Sequence, residues 1–257
     1  MNIYLIKNKI INMYMDDSNQ GKYKIPNIIH QTFIDKKLPS DIAAIVLHNK
    51  KICRYCTFIF YDDDDCDNFI KTKFDERIYN AYKNINNVYG AMKADFFRYC
   101  VLYKTGGIYL DIKSVINYPI FKLIKKNDSC ILDIPRNDKE PYRANSPTYE
   151  QWLLMFSPYH PYLLEMINTM VKYIEDKYIP KLNNYNLNTK QKILHITGPD
   201  AFTKAIKNYI KNNNQILHRS IDYDKYFNIN ILGEGYKNMY RFYNKKHYSE
   251  YNVPFYK

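Results

Sequence analysis

The sequence has no long apolar run. No window approaches the roughly 18 to 20 consecutive apolar residues that a membrane-spanning helix needs. The N-terminal stretch MNIYLIKNKIINMYMDD is interrupted by Lys and Asn every few residues, and it lacks the small-residue cleavage site of a secretory signal. We therefore predict a soluble, cytoplasmic protein without a transmembrane segment, and the sequence leaves a peripheral membrane contact open.

Cysteine is too sparse and too irregularly spaced for a disulfide framework. The chain has an odd number, five, and they are Cys53, Cys56, Cys66, Cys100 and Cys130. This usage is typical of reduced thiols in a cytosolic protein. The pair Cys53 and Cys56 forms a lone CxxC with no second pair, so the spacing does not favour a metal or redox site.

Glycine is also scarce, with 7 residues, whereas Tyr reaches 28 and the formal net charge is +12. The Lys residues are spread along the chain, so the charge is best explained by a solvated surface of biased composition. No module that reads nucleic-acid bases is recognisable. We therefore do not expect a nucleic-acid partner.

The length of 257 residues suits one large domain or two small ones, and 46% of the residues are apolar. We divide the chain into a lead-in segment, 1–24, and a single domain, 25–257. An aromatic tail over about 233–257 is either a lid over the site or a strap packed on the body. Short apolar strands alternate with helices, which predicts an α/β fold with a central sheet between helical layers.

Individual elements follow from local patterns. We predict strands in IPNIIHQTF, CTFIFYD, GIYLDI, SCILDIP and QILHRS, and helices beginning at Ser40 or Asp41 and after Pro199. Two more helical regions are expected at 88–103, ended by Gly106 and Gly107, and at 148–177. The acidic run DDDD invites a metal interpretation, but acidic residues at the positive end of a helix dipole explain it better.

One group of polar residues indicates chemistry. Asp95 and Arg98 are three apart in a helical, mostly apolar stretch, so they share a face and must be paired or line a cavity. Asp111 ends the apolar strand that follows the Gly pair. Ligands of open α/β sheets bind beyond the carboxyl ends of strands. We expect the helix and the strand to bring these three residues to one edge of the sheet.

The run KADFFRYCVLYKTGGIYLDIKS resembles the core motif of glycosyltransferase family 32, whose members carry a DXD motif and include Golgi mannosyltransferases and capsular-polysaccharide enzymes. The resemblance extends to IPNIIHQTF and FYDDDDCDNFI upstream and, more faintly, to TGPDAFTKAI downstream, so it covers roughly residues 25 to 205. It implies a GT-A fold with a mixed central sheet flanked by helices. It also implies a nucleotide-sugar donor and transfer with retention of the anomeric configuration.

The resemblance assigns roles to particular residues. Asp95 and Arg98 would hold the hydroxyls of the donor sugar, and Tyr109 and Asp111 would contact the nucleotide and the sugar. The other donor-binding positions that we assign lie in the first-strand block, beside the nucleotide base, and in the glycine turn: His30, Gln31, Thr32, Gly106 and Gly107.

Lys113 occupies the place of the second Asp of the DXD motif. An ammonium group has only donors, so it cannot be a metal ligand. Three interpretations stay open. Mn²⁺ or Mg²⁺ binds through Asp111 and a ligand from elsewhere, for which His247 is the candidate, with Asp222, Asp224 and Glu250 as others. In the second interpretation, Lys113 itself stabilises the diphosphate. In the third, the donor site has decayed and the protein binds without catalysis.

The predicted function is therefore a retaining glycosyltransferase. It would use a UDP- or GDP-sugar and a hydroxyl of a glycan, protein or lipid acceptor. The alternative is a protein on the same fold that binds a nucleotide sugar or a glycan without catalysis. In the catalytic interpretation Asp95, Arg98, Asp111 and Lys113 form the reaction centre.

Overall fold

A computed structural model describes residues 3–5, 23–135, 147–181, 186–228, 243 and 246–257. The strands over these residues are β1 (Ile3–Leu5), β2 (Ile28–Thr32), β3 (Lys37–Pro39), β4 (Thr57–Tyr61), β5 (Gly107–Leu110), β6 (Val115–Ile116), β7 (Cys130–Asp133), β8 (Leu153–Phe156), β9 (Arg219–Ile221) and β10 (Phe227–Asn228). The helices are α1 (Ser40–Ile52), α2 (Asp63–Lys73), α3 (Glu76–Asn84), α4 (Gly90–Thr105), α5 (Pro161–Glu175), α6 (Thr189–Ile196) and α7 (Pro199–Asn213).

The central sheet is mixed, with strand order β4-β2-β5-β8-β7-β9. β2 pairs in parallel with both β4 and β5, and β7 pairs in parallel with β9. β8 runs antiparallel to its neighbours β5 and β7. The strands other than β8 therefore all end at one side of the sheet, which we call the carboxyl edge. This is the edge where α/β sheets place their ligands.

Two antiparallel ribbons accompany the sheet. β1 pairs with β3, so residues 3–5 of the lead-in attach to the strand that precedes α1. Of the remaining lead-in, residues 1–2 and 6–22 lie outside the described part of the chain. The second ribbon joins β6 to β10.

The two faces of the sheet pack into different clusters, as the alternation of side chains along a strand requires. In β5, Tyr109 packs into a cluster with α4, α5 and α7, whereas Ile108 and Leu110 pack on the opposite face. Leu154 and Leu153 of β8 divide in the same way. Both faces of the sheet are therefore covered by apolar clusters, and the predicted mixed central sheet flanked by helices is confirmed.

Four of the predicted strands are confirmed, and the fifth, predicted in QILHRS, begins only at Arg219. The prediction of a largely helical region over 148–177 is wrong. The region contains β8, a strand at the centre of the sheet, before α5 begins at Pro161. The residues of β8 are buried on both faces. A short apolar run of this kind has no alternation that separates a strand from a helix. Helix α3 was not predicted at all.

Two helix starts differ in their chemistry. α1 is preceded by Pro39, with no side-chain cap, although Ser40 or Asp41 was the expected cap. α2 begins after Asp62, whose side chain accepts from the N–H of Asp65, while the side chain of Asp65 accepts from the N–H of Asp62. This reciprocal capping box confirms the interpretation of the acidic run as a helix start.

The turn between α4 and β5 requires both of its glycines. Gly106 and Gly107 have φ angles of +63° and +98°, which side chains disfavour. A Cβ on Gly106 would lie 2.6 Å from Pro158, and one on Gly107 would lie 2.7 Å from the carbonyl oxygen of Ile28. The pair thus lets the chain leave the helix and enter the sheet beside β2.

Two features of the described residues concern the cysteines and whether any helix could span a membrane. All five cysteines are free thiols. Among the described helices, none combines the length and the apolar composition needed to cross a membrane.

Candidate active site

Helix α4 presents an ion pair to the carboxyl edge. Asp95 and Arg98 are 4% and 5% exposed, and Arg98 Nη2 lies 3.1 Å from Asp95 Oδ1. The same nitrogen lies 3.2 Å from Oδ1 of Asp111, directly after β5. One guanidinium therefore joins the helix to the strand end, and the three residues that the sequence singled out come together.

Tyr109 forms the floor under this guanidinium. The central carbon of Arg98 lies 4.4 Å from the centroid of the Tyr109 ring, a cation–π distance. The Tyr109 hydroxyl lies 2.9 Å from Oγ1 of Thr32 at the end of β2. Two neighbouring strand ends are thus tied to the ion pair.

Two residues that sequence reasoning missed hold Asp95. Gln151 Nε2 donates to Asp95 Oδ1 at 3.0 Å, and Thr197 Oγ1 donates to Asp95 Oδ2 at 2.7 Å. The backbone carbonyl of Gln151 also accepts from Arg98 Nη1 at 2.6 Å. Gln151 lies just before β8 and Thr197 just after α6. Their partners are 56 and 102 residues away along the chain, so no local pattern marks them.

The two carboxylates differ in environment. Burial raises the pKa of Asp95 to about 7, even though Arg98 and the Thr197 hydroxyl favour its charged form. The side chain of Asp111 keeps 24% of its surface exposed. Asp95 is therefore the interior carboxyl of the site, and Asp111 is the one that faces solvent.

Lys113 lies in a turn, not in a strand. β5 ends at Leu110, and the Ser114 N–H donates to the carbonyl of Asp111 at 2.9 Å, which closes a tight turn around Lys113. Alternation along β5 would place Lys113 on the side of Asp111 only if the strand continued that far, and it does not. The turn nonetheless fixes the Lys113 backbone two residues beyond the Asp111 carboxylate, and its side chain is half-buried.

The residues of the first-strand block, His30, Gln31 and Thr32, differ in what they contact. His30 is fully buried, with Nδ1 3.1 Å from the Tyr61 hydroxyl and Nε2 3.1 Å from the Gly106 carbonyl. Burial lowers its pKa to about 4, so the ring is neutral. Gln31 is buried and its Nε2 has no partner among the described residues. In this structure His30 holds the glycine turn, whereas Thr32 reaches the ion pair through Tyr109. Contact of this block with a nucleotide stays a prediction.

The predicted metal ligands do not meet in a cluster. Among the described residues, no group of three or more His, Cys, Asp and Glu side chains could hold a metal ion. His247 Nδ1 lies 2.7 Å from Ser249 Oγ in a short turn near the end of the chain. Asp222 caps another short turn after β9. The described residues therefore do not fit a divalent cation chelated by several protein side chains.

The literal DXD spacings lie elsewhere, in the acidic run after β4. Asp62 and Asp65 form the α2 capping box, and both pair with Lys36, at 3.1 and 2.9 Å. Asp67 pairs with Lys83 and accepts from the Tyr79 hydroxyl. These carboxylates are engaged in supporting a helix.

The end of the chain packs on the body beside the start of α4. The N–H of Asn86 donates to the carbonyl of Phe255, and the N–H of Lys257 donates to that of Asn84, both at 2.8 Å. Residues 246–257 thus include a strap. Residues 233–242 and 244–245 of the predicted aromatic tail lie outside the described residues.

Comparison with known proteins shows which family of proteins this chain is similar to. Residues 40–130 match the model of a glycosyltransferase sugar-binding region containing a DXD motif. The chain is 29% identical over 163 residues to an initiation-specific alpha-1,6-mannosyltransferase of Schizosaccharomyces pombe, covering 58% of this chain and 40% of that one. It is 40% identical over 96 residues to the uncharacterized glycosyltransferase L373 of Acanthamoeba polyphaga mimivirus, covering 35% and 36%.

A third relative is the mannosyl phosphorylinositol ceramide synthase CSH1 of Saccharomyces cerevisiae, 28% identical over 195 residues, which cover 72% of this chain and 43% of that one. The chain thus spans less than half the length of these relatives.

Two solved structures show the same fold. The PaToxG glycosyltransferase aligns with a TM-score of 0.52 at 17% identity, covering 73% of this chain and 71% of that one. The ligand-free glycosyltransferase domain of the YGT toxin aligns with a TM-score of 0.51 at 8% identity, covering 78% and 80%. The predicted GT-A fold is confirmed.

Proposed function

Because the chain is a member of glycosyltransferase family 32, we propose that it moves a sugar from a UDP- or GDP-sugar donor to an acceptor hydroxyl, with retention of configuration. The observation that carries the proposal is the Arg98 guanidinium that joins Asp95 to Asp111 at the carboxyl edge. The acceptor belongs to a glycan, a protein or a lipid. A lipid is among these acceptors because one relative, CSH1, is named a mannosyl phosphorylinositol ceramide synthase.

The chemistry of the ion pair suits a sugar. Carboxylates accept hydrogen bonds from hydroxyls, and a guanidinium offers donors in a fixed fork. Gln151 and Thr197 hold Asp95 from two sides, so the carboxylate cannot rotate away when a donor enters. Asp111 is at the exposed side, where the nucleotide would approach. The recognition groups are thus preorganised, which favours both binding and rate.

Transfer on this site has a simple balance of bonds. The bond between the sugar C1 and the diphosphate oxygen breaks, and its electron pair leaves with the nucleoside diphosphate. The acceptor oxygen forms the new bond to C1 on the same face, and its proton passes to the departing phosphate oxygen. Asp95 is committed to Arg98, Gln151 and Thr197, which supports a front-face substitution without a covalent carboxylate intermediate.

Two further predictions belong to this proposal. One is the divalent cation, Mn²⁺ or Mg²⁺, that the sequence predicts at Asp111 and His247; it stays an untested prediction, and no step above depends on it. The other is a cytoplasmic location with no nucleic-acid partner; a peripheral membrane contact is compatible with it. A protein that binds the donor without transfer is the second candidate, and the departure from DXD at Lys113 is what favours it.

The test is a panel of UDP- and GDP-sugars, with release of nucleoside diphosphate as the readout and mixed glycans and lipid extracts as acceptors. We expect one donor to be consumed, and its consumption to be lost in Asp95→Asn. Stabilisation of the protein by a nucleotide without turnover of any donor would favour the binding protein. Absence of both binding and turnover would refute the donor site.

A further inference from the structure

We propose that this donor site works without a protein-chelated divalent cation and that the Lys113 ammonium meets the charge of the departing diphosphate. The inference rests on the proposed function, because it concerns the same donor site. It adds the nature of the positive charge that the site supplies.

Lys113 lies at the strand end where the sequence departs from the DXD pattern. The matched region is described as containing a DXD motif, and in this chain the strand-end residues are Asp111, Ile112 and Lys113. The Ser114 N–H closes the turn on the Asp111 carbonyl, so the Lys113 backbone is held two residues from the carboxylate that faces solvent. The substitution therefore occurs inside the site and not in a loop remote from it.

The formal charges of the side chains in the site are balanced. The carboxylates of Asp95 and Asp111 are balanced by the cations of Arg98 and Lys113. A carboxylate in place of Lys113 would make the same group more negative by two charges, which is the charge of one divalent cation. The site thus carries in its side chains the charge that a metal would otherwise bring, and it offers a free cation little electrostatic attraction.

The described residues also lack a ligand set for a divalent cation. Hard cations such as Mg²⁺ prefer several oxygen ligands. Oδ1 of Asp111 already faces Arg98 at 3.2 Å. Over the described residues no group of three or more acidic, His or Cys side chains could hold a metal ion. The literal DXD spacings at Asp62–Asp67 are engaged with the α2 cap, Lys36, Tyr79 and Lys83.

Lys113 is chemically suited to the task. An ammonium is a compact point charge with three donors, and it binds phosphate in many proteins. In the transfer step it stabilises the electron pair that the diphosphate oxygens receive when the bond to C1 breaks. It accepts no electrons and loses no proton, so the balance of bonds in the transfer step is unchanged.

The test measures binding of UDP and GDP by calorimetry, in EDTA and in Mn²⁺. Wild-type protein should bind one of them with a Kd that changes less than about twofold between the two conditions. Lys113→Asp should bind at least about tenfold more weakly in EDTA and recover in Mn²⁺, because it restores the DXD ligands. Lys113→Ala should weaken binding in both conditions.

Lys122→Asp is the matched control. Lys122 is exposed in a short turn whose Leu123 carbonyl accepts from Arg219 at the start of β9, away from the carboxyl edge. It makes the same charge change, so it should bind nucleotide as the wild type does. Circular dichroism of each variant confirms that it is folded.

The outcomes separate this inference from the proposed function. Wild-type binding that requires Mn²⁺ would overturn metal independence while leaving a donor site in place. Lys113→Ala binding like the wild type in EDTA would overturn the role of Lys113. No binding of either nucleotide in any condition, together with no donor turnover, would overturn the proposed function itself.

Discussion

Two parallel strands of one sheet end in acidic residues, and the two ends serve different purposes. β4 is followed by a run of four Asp residues that contains the literal DXD spacing, whereas β5 is followed by Asp111 alone. The run caps α2 and pairs with Lys36. Asp111 instead meets the Arg98 guanidinium and keeps part of its surface open. The literal DXD spacing therefore follows β4, where the carboxylates cap a helix, and not β5, where Asp111 faces solvent.

The difference also affects ionisation. For Asp62 burial acts to raise the pKa, but the Asp65 N–H and Lys36 outweigh it, so the pKa of Asp62 is lowered. For Asp95, which shares Arg98 with Asp111, burial dominates and the pKa rises to about 7. Stabilised carboxylates support structure, whereas a carboxyl held in an unfavourable environment is typical of a functional site.

The largest expected effect comes from removing the carboxylates of the β5 side. Asp95→Asn or Asp111→Asn should lower donor turnover by about 10²- to 10³-fold, because each removes a carboxylate that accepts from the donor's hydroxyls and holds the Arg98 guanidinium in place. Asp64→Asn, an exposed position in the acidic run, should leave turnover unchanged. Initial rates of nucleotide release give the comparison. A strong loss in Asp64→Asn would reverse the assignment of the two ends.

A smaller loss is expected from Gln151, which contacts Asp95, Arg98 and Tyr99. Gln151→Ala should lower kcat/KM by about tenfold to a hundredfold, as for residues that orient a functional group. Gln151→Glu keeps the shape but loses the donor to Asp95, so it should be no better than Ala. Activity close to wild type in both variants would show that Asp95 does not need this amide.

The pH dependence of stability should differ between the two acidic ends. The folded-state pKa of Asp95 is raised from 3.8 to about 7, so its ionisation makes the folded state less stable as pH rises through this window. Asp62 has a lowered pKa, so its contribution is lost as pH falls below its ordinary pKa of 3.8. Melting temperatures from pH 4 to 7 should fall less steeply in Asp95→Asn than in wild type. Identical slopes would contradict a buried Asp95 carboxyl with a raised pKa.

The smallest effect concerns the cap. Asp62→Ala should reduce the free energy of unfolding by about 1 kcal/mol, because it removes the side-chain acceptor of the α2 N-terminus. Turnover at a temperature well below the melting point should not change. Urea unfolding and a rate measurement on the same sample make the check. A loss of rate without a loss of stability would give the acidic run a role in the reaction.

Much of this arrangement could be predicted from the sequence, because its signals are local. The spacing of Asp95 and Arg98, the glycine break and the strand-end Asp111 lie within 17 residues, and the structure joins them. The positive φ angles of Gly106 and Gly107 account for the break.

The misses have physical reasons. β8 has no alternating pattern because both of its faces are buried. Gln151 and Thr197 approach Asp95 only through tertiary packing, so nothing in their neighbourhood marks them. Strand alternation does not place Lys113, because β5 ends at Leu110 and the turn closed by Ser114 begins at Asp111.

The most direct test of the central claim is hydrogen–deuterium exchange with and without the nucleoside diphosphate that binds. We expect slower exchange in peptides that cover 95–102, 107–114 and 148–153, and no change over 62–73. Protection over 62–73, with unchanged exchange around Asp111, would place the donor at the acidic run and contradict the account.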